Sequence, residues 1–226
     1  MPSGIIWVSS RIAHPAQPRH DVEVLTPERF CAWYEETHIQ EVTALEGVPG
    51  AVRWEAVQPQ PTANAWSIEA PWLTVYSMPD IDYRNSKEFK GLDGQSAPKE
   101  RLLHEVFEQA RFDTRFYERI SQTGPEAGGE RARFLLSWAS DHVEAAAFQD
   151  FEGVRRVGVF RVVGASTLER FARRDALAEG TVREGLVLVE FEEGAVEKIR
   201  SVVERQKKEG DEVGWFGVKR IYGDGA

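Results

Sequence analysis

Short apolar runs separated by polar, Pro- and Gly-marked breaks dominate the chain. Ile5 to Ile12 is a β-rich run that predicts a strand. A loop from His14 to Val24 carries Pro15 and Pro18, and Thr26-Pro27-Glu28-Arg29 then marks a helix start. Threonine caps, proline takes the first helical position, and a carboxylate sits near the positive end of the helix dipole. The helix is predicted from Pro27 to about Leu45, with Phe30, Tyr34, His38, Val42 and Leu45 on one face and Trp33 and Thr37 at its flank. Ala51 to Val57 and Trp72 to Met78 read as strands joined through a Pro-rich loop, Gln58 to Ala70. Asp82 to Phe89 and Pro98 to Ala110 predict helix on either side of a Gly-rich insert, Gly91 to Ala97. Phe112 to Ile120 closes a β-α-β-β-α-β order.

Gly124 to Gly129 has linker composition, and the same order then begins again. Arg133 to Ala139, Val157 to Val163, Leu186 to Phe191 and Trp215 to Tyr222 predict strands; Asp141 to about Phe151 and Ala195 to Lys208 predict helices. Glu46-Gly47-Val48 and Glu152-Gly153-Val154 each lead into a strand at equal spacing, and Arg119-Ile120 matches Arg220-Ile221 in the closing strands. The expected fold class is α+β: two tandem ferredoxin-like repeats, residues 1–124 and 131–226, packed as an intrachain pseudo-dimer. Each unit covers one sheet face with helices and leaves the other apolar and bare, so a second copy closes a barrel over it.

Composition narrows the function classes. The 226 residues carry a formal net charge of −9, which opposes binding to phosphate backbones and anionic lipid, so neither nucleic acid nor membrane is expected as a partner. One cysteine, Cys31, allows no intrachain disulfide, and Met1 to Val8 lacks the pattern of a secretory leader; together these predict a cytoplasmic protein. No apolar stretch approaches the ~18 residues of a span.

The segment Thr26 to Glu55 resembles the EthD-like family of the dimeric α+β-barrel superfamily. The likeness lies in Thr26-Pro-Glu-Arg-Phe30, Trp33-Tyr34, Glu36-Thr37-His38, and Gly47 to Gly50 leading to Val52-Arg53-Trp54-Glu55. It departs after the histidine, where Ile39 stands and the family's Pro-Leu pair is absent. The resemblance implies a ligand cavity between each sheet and its helices. It also implies cofactor-independent chemistry on aromatic or polyketide-like small molecules in secondary metabolism: decarboxylation, dehydration or cyclisation. Some relatives bind haem, and others have no known reaction.

His38 is the first catalytic candidate, because an imidazole on the inner helix face is suited to proton transfer near neutral pH. The competing reading is a packed histidine bonded to a carbonyl. Tyr34, one turn away, can donate to a developing oxyanion or simply fill the core. Arg53 shares a strand face with Glu55 and is the third candidate, for a carboxylate or phenolate, if it faces the helix. Trp54 lies on the opposite face. Trp7, Ser9, Tyr76 and Trp54 are the candidates for substrate binding, with plain core packing the alternative for each aromatic. Leu73 and Val75 read as the core-facing pair of their strand, which leaves Tyr76 the weaker choice. No metal-ligand spacing, phosphate loop or nucleophile elbow occurs, so no metal or cofactor is expected. The second repeat has no histidine matching His38 and is expected mainly to close the barrel. The expected function is therefore a cofactor-independent lyase, acting as a monomeric pseudo-dimer or homodimer. A non-catalytic ligand-binding barrel and a haem-dependent barrel enzyme are the alternatives.

Overall fold

A computed structural model describes residues 1–15, 20–124 and 132–223. Of the predicted linker, Gly124 to Gly129, only Gly124 is described; residues 125–131, with the joint between the two predicted repeats, lie outside the described residues.

Among the described residues nine strands form one sheet: β1 (Gly4–Ile12), β2 (Gly50–Ala56), β3 (Trp72–Met78), β4 (Ala110–Thr123), β5 (Phe134–Ala139), β6 (Val154–Glu169), β7 (Ala172–Arg174), β8 (Gly185–Phe191) and β9 (Glu212–Gly223). They run in the order β4-β1-β3-β2-β9-β5-β8-β6-β7, and β4 also pairs with β6. That last pairing closes eight strands into an antiparallel barrel, with β7 appended to β6 as a short hairpin arm. The strands of the first half lie in the order fourth-first-third-second, and β9-β5-β8-β6 repeats that order in the second half. The halves join at two seams, β2–β9 and β4–β6.

Burial divides into three layers. Inside the barrel, Ile5, Trp7, Val52, Trp54, Leu73 and Val75 meet Leu135, Phe160, Leu186 and Phe216 of the other half. Outside the first-half wall, Ile6, Val8, Ala51 and Tyr76 pack against Phe30, Tyr34, Ile39 and Val42 of the first helix. Outside the second-half wall, Leu136, Trp138, Val187 and Val189 pack on the last helix, Val196–Gln206, through Ile199, Val202 and Val203. Both faces of each wall are covered, so strands such as β1 are buried almost continuously instead of alternating.

The helices are shorter than expected, and a further short one, Trp66–Glu69, forms in the Pro-rich loop. Asp82 to Phe89 and Pro98 to Ala110 resolve into single turns, Lys87–Lys90 and Glu100–Glu105, flanked by 3-10 turns. In the second half only Ala146–Gln149 forms of the helix predicted from Asp141. Asp141 does not cap it; its carboxylate accepts from the Glu184 amide at 2.8 Å and pairs with Arg183 at 3.1 Å. Among the described residues, no helix is long and apolar enough to cross a membrane.

Candidate functional site

The first helix forms as its sequence dictates. Thr26 caps it by accepting from the Arg29 amide at 3.3 Å, and Pro27 opens it. Its middle departs from a regular helix: Tyr34–His38 is a π turn between the α-helical stretches Pro27–Trp33 and Ile39–Thr43. The Ile39 amide bonds to the Tyr34 carbonyl, five residues back. This extra residue moves Ile39 into the buried position below Tyr34 and turns His38 to the flank, where the sequence periodicity had placed it at the centre. Such turns recur at functional sites.

His38 is half-buried at the edge of a cavity of about 50 Å³ between the first helix and the wall of β1, β3 and β4. Its ring stacks on Trp33 at 5.1 Å and lies 5.2 Å from Tyr34. Nδ1 is enclosed and has no hydrogen-bond partner among the described residues. Leaving such an atom unpaired costs roughly 1–3 kcal/mol. Burial, with the Arg53 charge adding to it, lowers the imidazole pKa to about 4, so the ring is neutral at physiological pH. Across the cavity the Tyr76 hydroxyl lies 3.4 Å from that of Tyr34, and both side chains are buried. Burial and the neighbouring Tyr34 hydroxyl push the Tyr76 phenol well above its ordinary range, so it stays protonated.

Arg53 faces the helix and is completely buried. Its guanidinium stacks over the Tyr34 ring at 4.5 Å, donates to Thr74 Oγ1 at 3.0 Å and lies 3.6 Å from Glu35. Lys219 of β9 completes the charge group, 3.1 Å from Glu35. Arg53 does not line the cavity; it supports the tyrosine that does. Cys31 lies beside this group, and burial pushes its thiol up, away from a reactive thiolate.

The candidates for substrate binding divide between two compartments. Tyr76 lines the cavity with Tyr34 and His38, while Leu73 and Val75 face the barrel interior. Both faces of that strand are core, which corrects the choice of one face over the other. Trp7, Ser9 and Trp54 are interior residues on the far side of the wall. Trp7 Nε1 donates to Ser137 at 3.0 Å, and Ser9 accepts from Trp66 Nε1 at 2.8 Å.

Sequence reasoning missed Phe112 and Thr114 of β4, and Leu168 and Arg173 of the β6–β7 hairpin, all of which line the cavity. The second half therefore contributes side chains as well as closing the barrel. Arg173 donates to Ser166 Oγ at 2.9 Å and to the Gly94 carbonyl, so the hairpin latches the Asp93–Gln95 rim. The Gly-rich composition of that insert was the one available signal.

Among the described residues, no group of three or more His, Cys, Asp or Glu is arranged to hold a metal ion. A haem does not fit beside His38: the imidazole is stacked on Trp33, and the adjoining space is about 50 Å³.

Fold and site together define a mixed α/β protein with a closed antiparallel barrel and an imidazole–phenol cavity on its outer wall. No family model matches the chain, and no curated protein is similar to it. Among solved structures, a protein of Fusobacterium nucleatum described as "Putative monooxygenase" is similar at a TM-score of 0.49 and 10% identity, over 98% of this chain and 94% of that one. At that score the barrel rests on its own strand pairing, and the likeness adds nothing to the chemistry.

Proposed function

We propose that the protein is a small-molecule enzyme built from two fused ferredoxin-like units, residues 1–124 and 131–226. It acts as a cofactor-independent lyase on an aromatic or polyketide-like compound in the cavity beside the first helix. The repeated strand order supports the two-unit reading. The resemblance of Thr26 to Glu55 to EthD-like proteins is consistent with it. The observation that carries the function is the convergence of His38, with an enclosed and unpaired Nδ1, and the Tyr34–Tyr76 hydroxyl pair on one cavity.

The chemistry follows from protonation states. Neutral His38 takes a proton from a carbon next to a carbonyl, and the electron pair moves onto the carbonyl oxygen, whose negative charge offsets the burial and the Arg53 charge that disfavour the imidazolium in the empty cavity. A Tyr34 or Tyr76 hydroxyl donates a hydrogen bond to that oxyanion. A β-hydroxyl then leaves as water, taking the proton back from the imidazolium, and a conjugated product remains. Arg53 acts one step removed, by holding the Tyr34 ring in place.

At about 50 Å³ the cavity is smaller than the ~300–1,000 Å³ of ordinary ligand pockets, so a ring is admitted only when the Asp93–Gln95 rim moves off Arg173.

The test is a panel of β-hydroxy ketones and phenolic acids followed by absorbance and mass spectrometry. His38→Gln should lower turnover by about 100-fold or more, and Tyr76→Phe by about tenfold. Turnover unchanged in His38→Gln overturns the enzyme reading, and binding of panel members without product favours the binding barrel.

A further inference from the structure

Arg173 is the one lysine or arginine among the described residues that line the cavity beside His38, and the proposed chemistry gives it no partner. Strand register explains how it comes to be there. Phe112 of β4 pairs with Leu168 of β6, and Leu168 pairs with Arg173 of β7. Residues directly opposite one another share a face of the sheet, so this row presents all three side chains to the cavity. Phe171 holds the hairpin arm against the first half, its ring meeting that of Phe107 edge-on at 6.2 Å.

The surroundings of Arg173 lack an anion. Its hydrogen bonds go to neutral acceptors, Ser166 Oγ at 2.9 Å and the Gly94 carbonyl. Glu169 of the same hairpin is taken up by Arg111 and Arg170. Arg111 shows the contrast: Asp113 and Glu169 beside it raise its pKa, whereas partial desolvation lowers that of Arg173 and no neighbouring carboxylate opposes it. The residue is exposed, so its guanidinium stands at the mouth of the cavity, within reach of an incoming ligand. A carboxylate outcompetes a carbonyl for such a group, because a two-pronged, charge-assisted pair is roughly twice as strong as a neutral hydrogen bond. Arg53 cannot take this part, since it is completely buried behind the Tyr34 ring.

We infer that Arg173 determines specificity by binding a carboxylate on the ligand, and that the cavity therefore takes an aromatic carboxylic acid in preference to a neutral ring. The inference rests on the reading of this cavity as a ligand site. The carboxylate displaces the Gly94 carbonyl from the guanidinium and so frees the Asp93–Gln95 rim, and the ring enters among Tyr34, Phe107 and Phe112. Opening is thereby coupled to the charge of the ligand. A neutral ring offers Arg173 nothing better than the carbonyl it already holds, and the rim stays latched.

4-Hydroxybenzoate and 4-hydroxybenzamide share an outline and differ in charge, and they serve as probes in calorimetric titration of the full chain. The acid should bind about tenfold or more tightly than the amide. Arg173→Gln should bring that ratio down to about one, and Arg173→Lys should keep part of it, since lysine supplies the charge without the fork. A variant that merely unfolded would lose both ligands alike, so the ratio reports the pairing itself. The ratio is also independent of turnover. If it holds in a protein that converts none of the panel, the enzyme reading alone fails; if neutral β-hydroxy ketones turn over and the ratio is absent, this inference alone fails. Equal affinity for the two compounds, no binding of the acid at about 10 mM, or a preference undiminished in Arg173→Gln overturns the inference.

Discussion

The protonation of His38 makes a prediction about stability that does not depend on any substrate. The folded imidazole titrates near 4 because burial, and then the Arg53 charge, disfavour its protonated form; the ordinary value is 6.5. At about pH 7 the ring is neutral in both the folded and unfolded chain, and stability is unaffected. As the pH falls through 6.5 the unfolded chain takes up a proton that the folded one refuses, so stability is lost with acid. From these two values the loss at pH ~5 is about 2 kcal/mol relative to neutrality, approaching about 3 kcal/mol below pH ~4. The perturbation is His38→Gln, which keeps a polar group but cannot titrate. Urea unfolding of both proteins, followed through tryptophan fluorescence between about pH 7 and about pH 4.5, gives the difference in stability at each pH. That difference should shrink in favour of the variant by about 2 kcal/mol over this interval, because carboxylates and the other histidines titrate alike in both chains. A difference that stays constant with pH would show that the imidazole is not desolvated, and the cavity geometry would be wrong with it.

Arg53 supplies part of the same shift, so Arg53→Met should move the His38 pKa upward, towards 6.5, as read by imidazole NMR. The same change should destabilise the fold by about 2 kcal/mol in urea unfolding, because Thr74 loses a buried hydrogen bond and Tyr34 its stacked guanidinium while Glu35 keeps Lys219; Arg53→Lys should not restore it, since the flat stack on Tyr34 needs a guanidinium. Thr26→Ala should cost about 1 kcal/mol by removing the helix cap, measured in the same way. Gly4→Ala should lower the melting temperature clearly, because a Cβ there would run into the Tyr117 carbonyl across the β1–β4 pairing.

The strands were the legible part of this chain, and the side they face was not. β3 was expected at Trp72 to Met78 and lies there; β1, β2, β5 and β8 agree to within a residue or so at either end. Facing was hidden because each wall is buried on both sides, so Leu73, Thr74, Val75 and Tyr76 are all core and no alternation picks one set. The π turn was invisible for a different reason: Tyr34-Glu-Glu-Thr-His38 is ordinary helix-forming sequence, and the extra residue is set by packing against the wall. The β6–β7 arm was also missed. Its turn places Arg170 and Phe171 at positive φ, where a Gly or Asn would have announced it, and the segment reads as a charged loop. Thus His38, Tyr34 and Tyr76 were found as candidates from the helix and strand patterns, whereas Arg173, which reaches them from the other half, was not.

The central claim is that a ligand enters the cavity beside His38. Long-range proton–nitrogen NMR of the five histidines during titration with a hydroxynaphthoic acid tests it most directly. The account predicts that the His38 imidazole nitrogens shift on binding, Nδ1 most of all, and that Tyr76→Phe weakens the effect. Saturable binding that leaves the His38 nitrogens unmoved contradicts it.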